Sequence, residues 1–307
     1  MNVLVTGGAG FIGSHIVDAL LARGDRVRVL DNLSTGRRSN LAAARGSDRL
    51  EFIEGDILDE VTINAACRGI EIVFHEAARS SVPFSVAHPD VSIDNNVRGT
   101  LNALRAAEAA GVARFVYAAS SSAYGLSVVL PKVETMIPAP ISPYAVAKLA
   151  GEHLCEAWTH CYGLSTVSLR YFNVYGPRQR ADSAYSPVVP RFIDALRYGR
   201  APTIYGDGRQ SRDFTYVADV VRANLAAAAA AAGGVYNVGA GCNRSLLDVL
   251  AAVETAVDAH VEPTFEPPRV GDVLRTLADT TAISAAFGWK AEVDLVEGVR
   301  RTVEGTP

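Results

Sequence analysis

Asn2-Val3-Leu4-Val5-Thr6-Gly7-Gly8-Ala9-Gly10-Phe11-Ile12-Gly13-Ser14 decides the fold. A short apolar run meets glycines at positions 7, 10 and 13, and Ser14 to Ala22 then carries Ile16, Val17, Leu20 and Leu21 on one helical stripe. Arg26 to Leu30 is a second apolar run, and it ends on Asp31, 18 residues after Gly13. Strand, glycine turn, helix, strand and carboxylate in this order form the layout of a dinucleotide-binding unit. Gly7 and Gly10 let the backbone turn tightly and approach a pyrophosphate. The anion then sits at the helix start, beside Phe11 and Ile12, where free N–H groups and the helix dipole favour it. Gly13 lets the helix lie close on the strand. Asp31 can accept hydrogen bonds from an adenosine ribose, and its charge repels a 2′-phosphate, which predicts NAD rather than NADP. Arg37 and Arg38 read as solvated loop charges. A purely structural glycine turn would leave Asp31 without a reason.

The rest of the chain continues the alternation. Asn32-Leu33-Ser34-Thr35-Gly36 reads as a turn that wraps the ribose through Asn32, Ser34 and Gly36. Leu50 to Ile53 is a third strand, and Gly55-Asp56-Ile57 ends it; on spacing alone Asp56 could equally cap the helix that starts near Asp59. Ile72 to His75 is a fourth strand, followed by Ala77-Ala78 where a cofactor needs a small, close backbone. His75, at a strand end, reads as structural. Pro89 to Ala110 fits one long helix, Arg114 to Ala118 a fifth strand, Pro143 to Tyr162 another long helix and Thr166 to Arg170 a sixth strand. This pattern predicts a Rossmann-type, doubly wound parallel sheet over residues 1–170. Beyond Arg170 prolines and glycines cluster and the elements shorten, so residues 171–307 are expected to form a smaller α/β substrate lobe with an interleaved boundary. Thr203 to Tyr205, Phe214 to Val217 and Val235 to Val238 read as its strands. Asp219 to Ala232 reads as a helix, its alanine run ended by Gly233-Gly234, and Ser245 caps a further helix to Val257. Such a lobe covers the carboxyl ends of the sheet, where open α/β folds bind ligands.

At 307 residues and 49% hydrophobic content the chain can bury a full core, and a net charge of −4 gives no basic field for nucleic acid. No stretch reaches 18 apolar residues without a charge, so no membrane span is expected. The N-terminus opens on a core strand without a basic leader, which predicts no secretory signal and a cytoplasmic protein. Cys67, Cys155, Cys161 and Cys242 are scattered, which suits free thiols and neither a zinc site nor a redox pair. No metal is expected.

Two stretches carry chemistry. Strand five runs into Ala118-Ala119-Ser120-Ser121-Ser122-Ala123-Tyr124-Gly125, and the later helix opens with Ser142-Pro143-Tyr144-Ala145-Val146-Ala147-Lys148. Tyr144 and Lys148 are four apart, on one helix face. A free tyrosine, with a pKa of about 10, is a poor base at neutral pH. A neighbouring ammonium and a positive nicotinamide would both lower that value. The bland alternative is an ordinary surface pair.

These motifs together resemble the extended branch of the short-chain dehydrogenase/reductase superfamily, which acts on nucleotide sugars. The resemblance covers nearly the whole chain and lies nearest the NAD-dependent UDP-sugar 4-epimerases. It implies that Lys148 also binds the nicotinamide ribose, that Asp56 and Ile57 hold the adenine, and that Asn95 and Tyr171 line the cofactor. It implies that Ser120 hydrogen-bonds the reacting hydroxyl. Where sugar dehydratases carry an acid pair after that serine, this chain has Ser121 and Ser122, so no carboxylate is available to expel water. Reversible oxidation at one carbon is what remains. Glu134 matches a lid-like loop. In Arg170-Tyr171-Phe172-Asn173-Val174-Tyr175-Gly176-Pro177-Arg178-Gln179, Asn173 is implied to contact the diphosphate. Ser81, Ser120, Ser122, Val189, Tyr205, Arg212, Arg269 and Asp272 are implied on the substrate side, the two arginines as planar forks for the pyrophosphate.

Thr276, seven residues after Arg269, matches a position that gates the C2 side of the sugar, and its small size implies room for an N-acetyl group. Phe84 stands where N-acetylhexosamine-handling relatives usually place an arginine. Arg79 is an added charge that could meet a C6 carboxylate, as in UDP-glucuronate 4-epimerases. The expected activity is therefore epimerisation of UDP-glucose or UDP-N-acetylglucosamine. The rivals are a glucuronate epimerase, a net NAD-dependent oxidoreductase or decarboxylase, and a non-enzymatic dinucleotide sensor. The long helices near 89–110 and 143–162 pair two copies in this family, which implies a homodimer.

Overall fold

A computed structural model describes residues 1–181, 186–268 and 274–306. At its centre β1 (Asn2–Thr6), β2 (Arg26–Asp31) and β3 (Leu50–Glu54) run one way out from the middle of a parallel sheet. On the other side of β1 lie β4 (Ile72–His75), β5 (Arg114–Ser120) and β6 (Thr166–Tyr171). This is the Rossmann strand order, and the direction of winding reverses between β1 and β4. β4 and β6 are buried at every residue and β5 at all but its last, as parallel strands covered on both faces are.

α1 (Phe11–Arg23) starts three residues earlier than its apolar stripe suggests, because Gly10 is already extended and serves as its N-cap. It ends at Gly24, which takes a left-handed conformation (φ 95°) and donates its N–H to Leu20 and Leu21. One face of the sheet buries Val3, Val5, Val29 and Val116 against Ile16, Val17 and Leu20 of α1. The other buries Leu4, Val73, Phe115 and Tyr117 against α2 (Glu60–Cys67) and the helices that follow β4 and β5.

The long helix expected over 89–110 is interrupted. α3 (Val82–Ala87) and α4 (Pro89–Ile93) lead into one wide π-type turn at Asp94–Arg98, and α5 (Gly99–Ala109) follows. The Asn96 carboxamide is clamped to the backbone of Arg79, accepting its N–H at 2.8 Å and donating to its carbonyl at 3.1 Å. That clamp ties the turn to the segment leaving β4, and such bulges recur at functional sites. α6 (Pro143–Tyr162) forms as expected, with the Ser142 hydroxyl accepting the Ala145 N–H.

Past Tyr171 come β7 (Val174–Tyr175), α7 (Val188–Arg197), β8 (Thr203–Tyr205), β9 (Ser211–Asp213) and β10 (Thr215–Tyr216). α8 (Val217–Ala229), β11 (Gly234–Val238), β12 (Asn243–Ser245), α9 (Leu246–Val257), β13 (Thr264–Glu266), α10 (Thr281–Phe287) and α11 (Leu295–Glu304) complete the order. Tyr175, Phe192, Ile204, Val249, Val253 and Val299 form a separate core among these elements.

Three elements here depart from the sequence reading. β11 is not a lobe strand: it joins the central sheet beside β6, parallel, with Val235 opposite Ser168 and Val238 opposite Tyr171. The strand expected at Phe214–Val217 is only β10, since Val217 already opens α8. α8 also stops at Ala229 rather than running to the paired glycines, because Ala230 is extended. The cause is Arg114 on β5. Its buried guanidinium reaches the carbonyls of Ala227 (2.8 Å) and Ala232 (2.6 Å), a cation at the negative end of the helix.

A second buried charge joins helix to sheet. Glu152 of α6 and Arg170 of β6 meet side by side, Nε to Oε1 at 3.0 Å and Nη2 to Oε2 at 2.8 Å, with side chains 3% and 4% exposed. Arg170 also lies 4.8 Å over the Tyr124 ring. Truncating one member leaves an uncompensated buried charge, so Glu152→Ala is expected to lower stability by about 3–5 kcal/mol. A shift of the urea unfolding midpoint relative to the unsubstituted chain measures it.

Candidate active site

The glycine turn and the exit of β4 are pressed together. Gly7 is left-handed (φ 68°), and a Cβ there would stand 2.7 Å from the Ala77 backbone. A Cβ on Gly13 would stand 2.3 Å from the Gly7 carbonyl oxygen. No side chain caps the start of α1, so its first N–H groups remain for a ligand. A crevice opens here, lined by Gly7, Gly10, Phe11, Ile12, Gly13 and Asp31 on one side. Asn32, Ser34, Asp56, Ile57, Ala77, Ala78 and Asn95, also expected on the cofactor, line it too, whereas Gly36, Tyr144, Lys148 and Tyr171 are not among its lining residues.

Asp31 is buried, and its two oxygens accept the N–H groups of Ala9 (2.9 Å) and Leu33 (2.8 Å). Burial pushes its pKa up, and those two bonds oppose the shift. Gly36 comes so close that a Cβ would stand 2.9 Å from an Asp31 oxygen. Asn32 donates to Asp56 at 2.8 Å and holds the Ser34 N–H at 3.0 Å. α2 is capped by Asp59, not by Asp56, so the capping alternative for Asp56 falls away. Arg38 pairs with Glu54 at the surface.

Beside the crevice, α6 brings up its first turn. The Tyr144 N–H donates to Ser85 of α3 at 3.1 Å, and the Ser120 hydroxyl at the end of β5 stands close enough to the phenol to draw its pKa down. Ser122 donates both its N–H (3.2 Å) and its hydroxyl (2.9 Å) to the Ser120 oxygen, and Ser121 lies between them in a short 3-10 turn. Lys148, one turn along α6, is buried and donates from Nζ to the Ala118 carbonyl at 2.8 Å.

The expectation of a phenol acidified by Lys148 is not met by the protein alone. Burial pushes the Tyr144 pKa up, the Ser120 hydrogen bond opposes it, and a carboxylate that sequence reading passed over raises it further. That carboxylate is Glu76. It lines the crevice at the exit of β4 and accepts the Tyr171 hydroxyl at 2.8 Å. Asn224 of α8 donates to the same Tyr171 oxygen at 2.8 Å. Burial drives the Glu76 pKa up and the Lys148 pKa down. The only signal in the sequence was a charged residue between a strand and two close-packed alanines. Ser85 and Asn224 were missed for the same reason: each acts through a partner far away in the chain.

A second pocket lies under the smaller core, lined by Asn173, Val189, Tyr205, Arg191, Arg212 and Phe214 among others. Asn173 (φ 27°) reaches Thr276 Oγ1 at 3.3 Å, and Thr276 also accepts the Asp213 N–H at 3.2 Å. Those two positions, far apart in sequence, are therefore brought together. Ser81 caps α3 through the Phe84 N–H at 3.1 Å. Arg79, the added charge that could meet a C6 carboxylate, lines the first crevice. Glu134 accepts the Asn237 N–H at 2.7 Å and so anchors its loop to β11. Arg269 and Asp272 lie outside the described residues.

A model of the NAD dependent epimerase/dehydratase family matches residues 3–239. The chain belongs to that family. It is 43% identical to a UDP-glucose 4-epimerase of Mycolicibacterium smegmatis over 99% of this chain and 98% of that one. Its fold superposes with a TM-score of 0.95 and 37% identity on a UDP-N-acetylglucosamine 4-epimerase of Methanobrevibacter ruminantium M1 in complex with UDP-N-acetylmuramic acid, covering 99% and 97% of the two chains. A UDP-glucose 4-epimerase of Thermus thermophilus in complex with NAD superposes at 0.90 with 40% identity, covering 99% and 98%.

His75, the residue read as structural, is fully buried between Thr6 Oγ1 (2.8 Å from Nδ1) and Thr100 Oγ1 (3.1 Å from Nε2). Burial holds its pKa down to about 3, against an ordinary value of 6.5. The unfolded chain therefore binds this proton as pH falls through 6.5 while the native chain refuses it until about 3. Stability is lost across that window at up to roughly 1.4 kcal/mol per pH unit. Urea midpoints at pH 7 and pH 5 should fall less steeply for His75→Asn than for the unsubstituted chain.

Proposed function

We propose that the chain is an NAD-dependent UDP-sugar 4-epimerase, acting on UDP-glucose and UDP-N-acetylglucosamine. The observation that carries this reading is the pairing of Tyr144 with Ser120 beside a crevice built for a dinucleotide. The adjacent pocket has two arginines and no carboxylate among its described lining residues. The donor set fits NAD: an uncapped helix start for the pyrophosphate, a buried carboxylate at Asp31 for the ribose, and a close backbone at Ala77-Ala78. Asn32, Ser34, Gly36, Asp56, Ile57 and Asn95 complete the adenosine and ribose side. NAD bound there supplies a hydride acceptor.

The chain's own residues do the rest. Tyr144 takes the proton of the sugar 4-hydroxyl, and Ser120 aligns that hydroxyl with the phenol. Lys148 holds the cofactor ribose and contributes positive charge, and Tyr171 walls the nicotinamide side. The 4-keto sugar turns about its diphosphate, which Asn173, Arg212 and Arg269 hold, with Asp272 elsewhere on the substrate, and Tyr144 returns the proton on the other face. Val189 and Tyr205 face the uridine, and Ser81, Ser122 and Thr276 face the sugar. Ser121 and Ser122 stand after Ser120 where dehydratases carry an acid pair, which favours epimerisation over elimination. Positioning by the nucleotide half supplies much of the rate. Residues 1–170, with β11 added to the same sheet and α8 packed on it, form the cofactor half, and the other elements beyond residue 171 form the substrate lobe.

Val82, Val86, Val91, Ile93 and Val146 are exposed apolar residues on α3, α4 and α6, which pack on one another. This face supports a homodimer. No helix among the described residues is long and apolar enough to cross a membrane. Four cysteines without disulfides, Cys67 and Cys155 buried with their thiol pKa pushed up to about 12, suit the cytoplasm.

Tyr144→Phe should retain NAD and UDP yet lose nearly all turnover, as followed by NMR of UDP-glucose and UDP-galactose; turnover near that of the unsubstituted chain would mean another base. The unsubstituted chain should release no stoichiometric NADH, which separates it from an oxidoreductase. Thr276→Tyr should lower kcat/KM for UDP-N-acetylglucosamine about tenfold or more, a cost of roughly 1.4 kcal/mol, and leave UDP-glucose nearly unchanged.

A further inference from the structure

Glu76 has no part in the reaction as set out above, and its placement calls for one. It stands at the exit of β4, between β1, which carries the glycine turn, and β5, which carries Ser120. A dinucleotide with its pyrophosphate at Gly10 and its reacting ring near Tyr144 must cross the end of β4. The carboxylate lines that crossing.

The groups that face it are few. Tyr171 of β6 donates the one hydrogen bond it receives from the described residues, and Asn224 of α8 holds that phenol from behind. Lys148 and Tyr144 face it from α6. Lys148 is the nearby cation, and its ammonium is hydrogen-bonded to the Ala118 carbonyl rather than to Glu76. Glu76, which opens onto the crevice, thus differs from the deeply buried carboxylates Glu152 and Asp213. Glu152 has a bidentate arginine, and Asp213 accepts the N–H groups of Ala240, Gly241 and Ala278. A carboxylate withdrawn from much of its water with one neutral donor is costly, and its cost falls when a cation is placed beside it.

We propose that Glu76 is the counter-charge for the oxidised nicotinamide, held in place by Tyr171 and Asn224, and that it biases the bound cofactor towards its oxidised form. This rests on the NAD reading of the crevice. The nicotinamide ring is positive when oxidised. Two electrons and one hydrogen nucleus arriving at the ring remove that charge, so a fixed carboxylate stabilises only the oxidised form. An epimerase needs such a bias, because a reduced cofactor left behind after an escaped keto sugar is a dead enzyme.

The test is the midpoint potential of NAD bound to the full-length protein, read by absorbance of the reduced cofactor against redox mediators, in the unsubstituted chain, Glu76→Gln and Glu76→Ala. Both variants remove the charge, and Ala also removes the bond to Tyr171, so either one decides if the other misfolds. We expect both potentials to rise by about 30 mV or more, which for a two-electron couple is a tenfold or greater loss of preference for the oxidised form. Equal potentials in the unsubstituted chain and a loaded variant would overturn the inference and leave the cofactor reading intact. A chain that takes up no dinucleotide would overturn both.

Discussion

The contact between the glycine turn and the exit of β4 governs the rest of this molecule. Gly7 admits no Cβ because the Ala77 backbone is already there, and Gly13 admits none because of the Gly7 carbonyl. These two absences bring β1, β4 and α1 together at the point where the sheet changes its direction of winding. Everything a dinucleotide needs then follows from position. The uncapped helix start faces the crevice, Asp31 stands at the end of the neighbouring strand, and Glu76 emerges beside the turn instead of disappearing into the core. A side chain at either glycine would separate the strands and dismantle all three features at once.

α6 carries the second constraint. Tyr144, Lys148 and Glu152 stand one turn apart on the same face, the first fixed between α3 and β5, the second by β5 and the third by β6. Ser120 and Ser85 hold the first, the Ala118 carbonyl the second and Arg170 the third. The buried ion pair therefore does more than add stability: it sets the rotation of the helix about its axis, and that rotation aims the phenol. Burying two ions rarely adds net stability over an apolar pair of the same size. Directional placement is the better account of why a carboxylate and a guanidinium sit where leucines would pack.

What could be read from the sequence was local. The glycine turn, Asp31, Ser120 and the Tyr144–Lys148 pair each announce themselves within a few residues, because backbone geometry or helical spacing demands those residue types there. What could not be read depended on distant partners. β11 looks like any short apolar strand, and only the vacant edge of β6 recruits it to the central sheet. The π-type turn hides inside a periodic helix, since the clamp that widens it is the Arg79 backbone. α8 ends short of its glycines because of an arginine on β5. Glu76 is the sharpest case. A glutamate after a strand usually faces solvent, and only the fold turns this one inward.

The chemistry of the phenol shows how these pieces act together. Left to the protein, Tyr144 is a weaker acid than a free tyrosine: burial and Glu76 both oppose ionisation, and the Ser120 bond does not offset them. Two unit charges about 4 Å apart at an effective dielectric near 20 interact by roughly 4 kcal/mol, equivalent to about three pKa units. One cation placed in the crevice is thus enough to reverse the balance, first by its attraction for the phenolate and then by neutralising Glu76. If Tyr144 is the base, it would be weak until an oxidised ring is in place and would regain its proton as that ring loses its charge. Proton transfer and electron transfer are coupled by electrostatics alone, with no moving part. The arrangement needs the carboxylate and the phenol to reach one cofactor from separate elements, and the exit of β4 and the first turn of α6 supply them.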